Sequence, residues 1–159
     1  MSPFDPNSFM SQTIDAELDT QVQLVPEGEY PAMIDSIEAE KDFRHGTIGE
    51  DKKRAGETWA NFSPRFVLQA PEVAAELGRD KVVVAHEGIF LDLDASGNLD
   101  FSKGKNVNLG QLREAVGQNK PGPWSFGNLS GAGPVMVKVS HLDGKNGKFA
   151  RVTRVAKVS

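Results

Sequence analysis

The segment 134–159 at the end of the chain constrains the fold most strongly, because it has the pattern of a β-hairpin. Valines alternate with more polar residues over 135–139, which is the period-two pattern of a half-buried strand. The dipeptides Asp143-Gly144 and Asn146-Gly147 then favour a turn, because glycine and asparagine adopt positive φ at little cost. We therefore predict two antiparallel strands at the end of the chain.

This hairpin is strongly basic and its charges have an unusual spacing. Against Asp143 alone it carries Lys138, Lys145, Lys148, Arg151, Arg154 and Lys157. The last four of these recur at every third residue, whereas a regular strand would send alternate members to opposite faces. A β-bulge at 151–153 would place Arg151 and Arg154 on one face, and barrel strands often carry such a bulge. We predict that bulge, and an anionic partner for the hairpin.

The composition agrees with a β-rich chain. At 159 residues one domain is expected, and 16 glycines, 9 prolines and 38% hydrophobic residues fit a loop-rich β domain better than a helical bundle. The absence of cysteine excludes disulfides, thiol catalysis and cysteine-ligated zinc. We find neither a signal-peptide pattern nor an apolar run long enough to span a membrane, so we expect a cytoplasmic protein without membrane contact.

The charge is distributed unevenly along the chain. The net charge is −4, but residues 1–40 hold nine acids and no lysine or arginine, which leaves a net of +5 on residues 41–159. We predict an acidic, poorly structured N-terminal arm at 1–24 and a folded domain at 25–159. The arm is either a solvated segment or one that competes with an anionic ligand or contacts a partner.

The remaining elements suggest a small barrel. Strands are predicted at 30–40, 58–70 and 81–93, with a bulge or edge at Pro64 and a short strand at Leu99 and Phe101. Helices are predicted at 11–18, 71–78 and 106–118, the last with Asn108 as its N-cap. The order fits a mainly β fold, an OB-fold-like five-stranded barrel with a helix between strands three and four. The polar loops 41–57 and 143–148 then occupy the slots that frame the ligand face of an OB-fold.

These loops and their neighbouring strands supply a candidate nucleic-acid site. Single-stranded nucleic acid requires cations for its phosphates and aromatic rings on which its bases stack. The predicted binding residues are Arg44, Lys52, Lys53, Arg54, Trp59, Phe62, Arg65, Lys138, His141, Lys145, Lys148 and Arg151. Phe43 and Phe149 are further aromatic candidates, although any of these phenylalanines could equally belong to the core.

The sequence offers little for catalysis. The three histidines lack metal-ligand spacing, and we find no nucleophile elbow, P-loop or dinucleotide-binding glycines. Asp92 and Asp94 could form a paired carboxylate, but no further acids accompany them in register. A calcium loop is disfavoured because Lys103 stands where the bidentate glutamate belongs. We expect no enzyme activity, cofactor or metal site.

With these residues identified, the chain resembles a group of bacteriophage single-stranded DNA-binding proteins. The resemblance rests on 25–38, which includes Pro-Glu-Gly-Glu-Tyr, on 88–122 and on the basic hairpin, together about half of the chain. It implies an OB-fold and a role in phage DNA replication or recombination within a bacterial host cell. The acidic C-terminal tail common in such proteins is missing, so the recruitment of partner proteins through a tail is in doubt.

We therefore expect a largely sequence-independent single-stranded DNA-binding protein that could also contact replication or recombination proteins. One alternative is a phage structural or assembly module that binds protein and no nucleic acid. Another is a metal-dependent nuclease. The sequence leaves open whether the chain forms a homo-oligomer and whether it prefers DNA or RNA.

Overall fold

The computed structural model describes residues 4–19 and 23–158, and β-strands dominate them. The strands are β1 Gly28–Ile34, β2 Phe43–Thr47, β3 Thr58–Phe62, β4 Arg65–Leu68, β5 Val83–Ala85, β6 Ile89–Leu91, β7 Val135–Gly144 and β8 Gly147–Lys157. The helices are α1 Pro6–Met10, α2 Ala39–Asp42, α3 Pro71–Leu77 and α4 Val107–Ala115, with a 3-10 turn at Phe126–Leu129. Within the described ranges, no helix combines the length and apolar character needed to cross a bilayer.

The strands form two antiparallel sheets, which confirms the prediction of a mainly β fold. The larger sheet has the order β5-β4-β1-β7-β8 and the smaller one β2-β3-β6. The described part of the chain therefore has eight strands rather than the predicted five, and its ladders do not close into a barrel. The two edges of the larger sheet meet at one parallel bridge, His86 with Val152, where the Glu87 N–H donates to the Val152 carbonyl at 2.9 Å.

Two predicted strands are each divided between the sheets. The predicted strand 58–70 is broken at Pro64, which has no N–H for a ladder, so β3 and β4 belong to different sheets. The predicted strand 81–93 is broken between β5 and β6, where Gly88 has a φ of +135° that disfavours other residues. The chain thus crosses from the smaller sheet to the larger one between β3 and β4, and back again between β5 and β6.

The predicted loop at 41–57 is wrong over its first part. Residues 39–42 form α2, and Phe43–Thr47 form β2, an edge strand paired with β3 from Phe43 opposite Phe62 to Thr47 opposite Thr58. Gly46 permits this pairing, because a Cβ there would lie 2.7 Å from the indole nitrogen of Trp59. Only residues 48–57 remain as the loop. The predicted strand at 30–40 is correspondingly shorter and ends at Ile34.

The closing hairpin is confirmed, together with its bulge. β7 and β8 pair from Val135 opposite Lys157 to Gly144 opposite Gly147. The register shifts between Lys138, which faces Arg154, and Val139, which faces Val152, so Thr153 is the extra residue. Arg151 and Arg154 consequently lie on the same face of β8.

The helices were predicted with mixed success. α3 and α4 are confirmed, and Gly78 ends α3 in the left-handed conformation with φ +65°. The N-cap position of α4 is Asn106 and not Asn108, and the Asn106 amide instead accepts from the Asp92 N–H at 2.8 Å. The predicted helix at 11–18 is wrong, since α1 ends at Met10. The predicted strand at Leu99 and Phe101 is reduced to one bridge between Leu93 and Leu99.

The core lies between the sheets and under α4. Its most buried side chains are Ile34, Phe62, Phe66, Leu129, Val135, Val137, Val139 and Val152. Each such side chain contributes about 1.5–3 kcal/mol through its removal from water. The valines of β7 and β8 supply half of this set, so the hairpin that was clearest in the sequence also closes one side of the core.

Candidate nucleic-acid interface

The outer face of the three-stranded sheet carries aromatic and cationic side chains. The register places Asn61 of β3 between Arg44 of β2 and Phe90 of β6, and it places Trp59 opposite Gly46. Residues that are directly paired project to the same side of a sheet, so Arg44, Trp59, Asn61 and Phe90 share one face, here called the aromatic face. The Phe90 ring is 61% exposed. The Trp59 indole packs against Gly46 and fills the space that a side chain at that position would occupy.

A groove runs beside this face toward the closing hairpin. Its first section, of about 350 Å³, is lined by Arg44 and Asn61 on one side and by Phe149 and Arg151 on the other. A second section, of about 370 Å³, continues past His86 to Arg154 and α4. Both sections are lined by His86 and Glu87, so they lie next to each other between Arg44 and Arg154.

The hairpin side of the groove combines a ring with a cation. The Arg151 guanidinium lies 4.6 Å from the centroid of the Phe149 ring, and its Nη1 donates to the Ala150 carbonyl at 2.8 Å. The ring itself packs on Gly144, where a Cβ would lie 2.9 Å from Cε1. This packing repeats that of Trp59 on Gly46. In both places a glycine lets an aromatic ring lie against the backbone, and both rings are half-buried.

Three of the predicted cations have structural partners. Arg65 contacts the carboxylates of Asp42 at 2.8 Å, Glu38 at 3.0 Å and Asp35 at 3.5 Å. The hydrogen bond to Asp42 is the main reason that the pKa of Arg65 is raised above its ordinary value. Asp42 is fully buried. Arg65 lines the groove, but its charge is already matched, so we remove it from the binding set.

Arg54 and His141 likewise hold parts of the fold together. Arg54 donates to Glu57 at 2.6 Å and to the Leu93 carbonyl at 2.8 Å, and its hydrogen bond lowers the pKa of the Glu57 carboxyl. His141 Nε2 lies 2.7 Å from the Val25 carbonyl, while the His141 N–H donates to Glu27 at 2.9 Å. Arg54 therefore ties down the loop 48–57, and His141 fixes the segment that enters β1. Both side chains therefore have structural roles, although the Arg54 side chain remains half-exposed.

Phe62 is also excluded from the site, because none of its surface is exposed. Its ring stacks on Phe43 at 4.8 Å and meets Phe126 edge-on at 5.0 Å. The sequence had left open whether the ring stacks a ligand or fills the core, and the structure assigns it to the core. Its neighbour Trp59 lies on the opposite face of β3.

The remaining predicted cations are exposed, except Arg151, which is half-buried. Within the described residues, Arg44, Lys52, Lys53, Lys138, Lys145 and Arg151 form no ion pair, and Lys148 has only an exposed contact of 3.1 Å with Asp143. Such an exposed pair is worth less than about 1 kcal/mol. Lys52 and Lys53 belong to the loop 48–57, and Lys145 stands at the hairpin tip. Lys138 lies between Glu29 and Arg154 on the outer surface of β7.

Sequence reasoning missed two residues of the aromatic face. Phe90 could have been found, because it lies between the buried Ile89 and Leu91 and must project the other way. Asn61 gave no such signal. Its Oδ1 is shielded from solvent and has no hydrogen-bond partner among the described residues, and its Nδ2 lies against Gly88.

His86 occupies the floor of the groove without adding charge. Its Nδ1 accepts a hydrogen bond from the Gly88 N–H at 2.9 Å. Burial lowers the pKa of His86 from 6.5 to about 4, so the ring is neutral at pH 7. The positive charge of the groove therefore comes from its arginines.

Comparison with known proteins identified no relative of the chain. No known protein family matches the chain, and no curated protein sequence matches it.

Proposed function

We propose that the chain is a single-stranded DNA-binding protein that binds along the aromatic face and the adjoining groove. The observation that carries the proposal is that the half-buried Trp59 ring and the exposed Phe90 ring share one face with Arg44, while the Phe149–Arg151 cluster lines the groove beside it. Bases would stack on the rings at about 1–3 kcal/mol each. Phosphates would follow the arginines from Arg44 through Arg151 to Arg154. Contacts of these two kinds are largely independent of base sequence.

We also propose that the fold is a variant of the OB-fold. The strand order of the larger sheet, the parallel bridge between its edges and the position of α4 before the hairpin support this assignment. In this interpretation, β3 with β4 form the second OB strand and β5 with β6 form the third. The loop 48–57 and the hairpin tip are then the two loops that border an OB ligand face. Such a protein would act in phage DNA replication or recombination in the cytoplasm of a bacterial host.

Fluorescence of the two tryptophans tests the proposal. Trp59 lies on the aromatic face, whereas Trp124 donates to Gln118 at 2.8 Å and stacks under Arg113 away from it. In a Trp124→Phe protein, titration with oligo-dT should quench Trp59, and the affinity should fall steeply with salt because binding releases counterions. The matched Trp59→Phe protein should bind more weakly and show little quenching.

The same titration distinguishes the competing functions. Duplex DNA and single-stranded RNA, run in parallel, give the preference among nucleic acids. No binding of any oligonucleotide at low salt would refute the proposal. If the chain then self-associated in a salt-insensitive way, an assembly module would become the better interpretation, whereas magnesium-dependent cleavage would indicate a nuclease.

A further inference from the structure

The N-terminal arm, residues 4–19, exposes a series of large apolar side chains. Phe4, Phe9, Met10, Ile14 and Leu18 are between 55 and 83% exposed. Asp5 caps the short helix α1, where the Phe4 and Phe9 rings lie 5.0 Å apart. Nothing in 23–158 covers these side chains, since every residue of 4–19 is exposed. A contiguous set of exposed apolar residues marks a segment that binds another surface.

A second exposed apolar surface lies beside α4, and it shares no residue with the aromatic face. This basic cleft, of about 530 Å³, is lined by Leu99, Phe101, Arg113, Lys120 and Trp124, among others. The Phe101 side chain is 89% exposed. The Arg113 guanidinium lies 4.4 Å from the centroid of the Trp124 ring. The cleft therefore offers aromatic surface together with two cations.

The charges of the arm and the cleft are complementary. Residues 4–19 contain four acids, Asp5, Asp15, Glu17 and Asp19, and no lysine or arginine. The cleft has Arg113 and Lys120, and the adjoining loop adds Lys103 and Lys105. Among the described residues none of these four cations forms an ion pair, and the Nε of Arg113 is shielded from solvent without a hydrogen-bond partner. An acidic segment in the cleft would place carboxylates beside these cations.

The arm joins the folded part of the chain at one end of the closing hairpin, and α4 packs near the other end. The segment that follows the arm is fixed where Val25 meets His141, near the hairpin end of β7. α4 packs at the other end of the hairpin, where Lys157 pairs with Glu114 at 3.4 Å. From His141 to Val135, which faces Lys157, the strand rises about 20 Å at roughly 3.3 Å per residue. The segment that follows the arm therefore meets the fold about 20 Å from the end of the hairpin on which α4 packs.

We infer that the arm of one copy binds the basic cleft of the next copy. Because the two surfaces differ, the contact is heterologous and adds copies head to tail rather than closing a symmetric dimer. The occupant is an acidic, aromatic segment of the same chain. The inference does not depend on DNA binding, but if the chain binds single strands, this contact would link neighbouring copies along the strand.

Mixing two full-length variants tests the inference by sedimentation velocity. Phe9→Ser impairs the arm, and Phe101→Ser impairs the cleft without disturbing the core. The parent protein should form larger species as its concentration rises, and each variant alone should remain monomeric. An equimolar mixture should form dimers and nothing larger, because only one intact arm and one intact cleft can meet. Raised salt should weaken the parent's association.

Other outcomes would overturn the inference. A parent that stays monomeric at all concentrations, or a mixture that sediments like its separate components, would mean that the arm does not bind a second copy. Association retained by both variants would place the interface elsewhere. Phe90→Ser is the matched control, since it removes an exposed ring from the aromatic face. It should weaken oligonucleotide binding and leave self-association unchanged, so failure of the DNA proposal and failure of this one are distinguishable.

Discussion

Two of the four arginines that line the groove, Arg65 and Arg151, have opposite surroundings. Arg65 is enclosed by three carboxylates, from Asp35, Glu38 and the buried Asp42. Arg151 stacks on the Phe149 ring and has no carboxylate partner within the described residues. Both side chains line the same section of the groove. In the sequence both were predicted as cations of the binding site, on predicted strands.

The difference shows that a cation in a groove is not sufficient for binding an anion. A guanidinium that is already paired gains little from a phosphate, because the phosphate must compete with carboxylates held at 2.8–3.5 Å. An arginine held by an aromatic ring keeps its charge available. We therefore expect Arg65 to act on stability and Arg151 to act on binding.

The largest expected effect is that of Arg65→Met on stability. The substitution would leave the buried Asp42 carboxylate without its cation, and removing one partner of a buried pair costs about 3–5 kcal/mol. Urea denaturation should detect this loss. Lys81→Met is the matched control, because Lys81 pairs with Asp35 only at the surface, and it should cost less than about 1 kcal/mol. If the two variants were equally stable, the ion pairs of Arg65 would not be stabilising the fold as we expect.

A smaller effect is expected from the pH, through His86 at the floor of the groove. The pKa of His86 in the folded chain is about 4, below the ordinary value of 6.5. Between these two pH values the unfolded chain therefore binds a proton at His86 and the folded chain does not. Stability should therefore fall as the pH drops from 6.5 to 4, by up to about 3 kcal/mol. Urea titrations at several pH values can measure this slope. His86→Gln should flatten it, whereas parallel profiles for parent and variant would contradict the assignment.

The features predicted best from the sequence are those that depend on residues close together in the chain. The hairpin, its turn and the bulge at Thr153 follow from alternation, turn dipeptides and the spacing of charges within 134–159. The passage of β3–β4 and β5–β6 between sheets was not predicted, because alternation does not indicate to which sheet a strand belongs. Pro64 and Gly88 stand at the two crossings, but a proline or glycine within a predicted strand can equally indicate a bulge or an edge strand.

The candidate site was harder to predict because its electrostatics depend on residues that are distant in the chain. The partner of Arg65 is Asp42, 23 positions earlier, and the partner of His141 is Val25, 116 positions earlier. No spacing rule connects such pairs. The alternation argument could have identified Phe90. For Phe62 the sequence left core and binding site open, because a ring alone does not distinguish the two, and the structure places Phe62 in the core.

The smallest expected effect is that of Arg151→Met, and it decides whether the two arginines differ as we infer. If Arg151 contacts a phosphate, its loss should weaken oligo-dT binding and reduce the slope of log affinity against log salt by about 1. Stability should change by no more than about 0.5 kcal/mol, because the side chain has no buried partner. Lys157→Met, which removes a cation paired with Glu114 away from the groove, should leave the slope unchanged. A reduced slope in folded Arg65→Met instead would mean that phosphate displaces the carboxylates, and the distinction between the two arginines would fail.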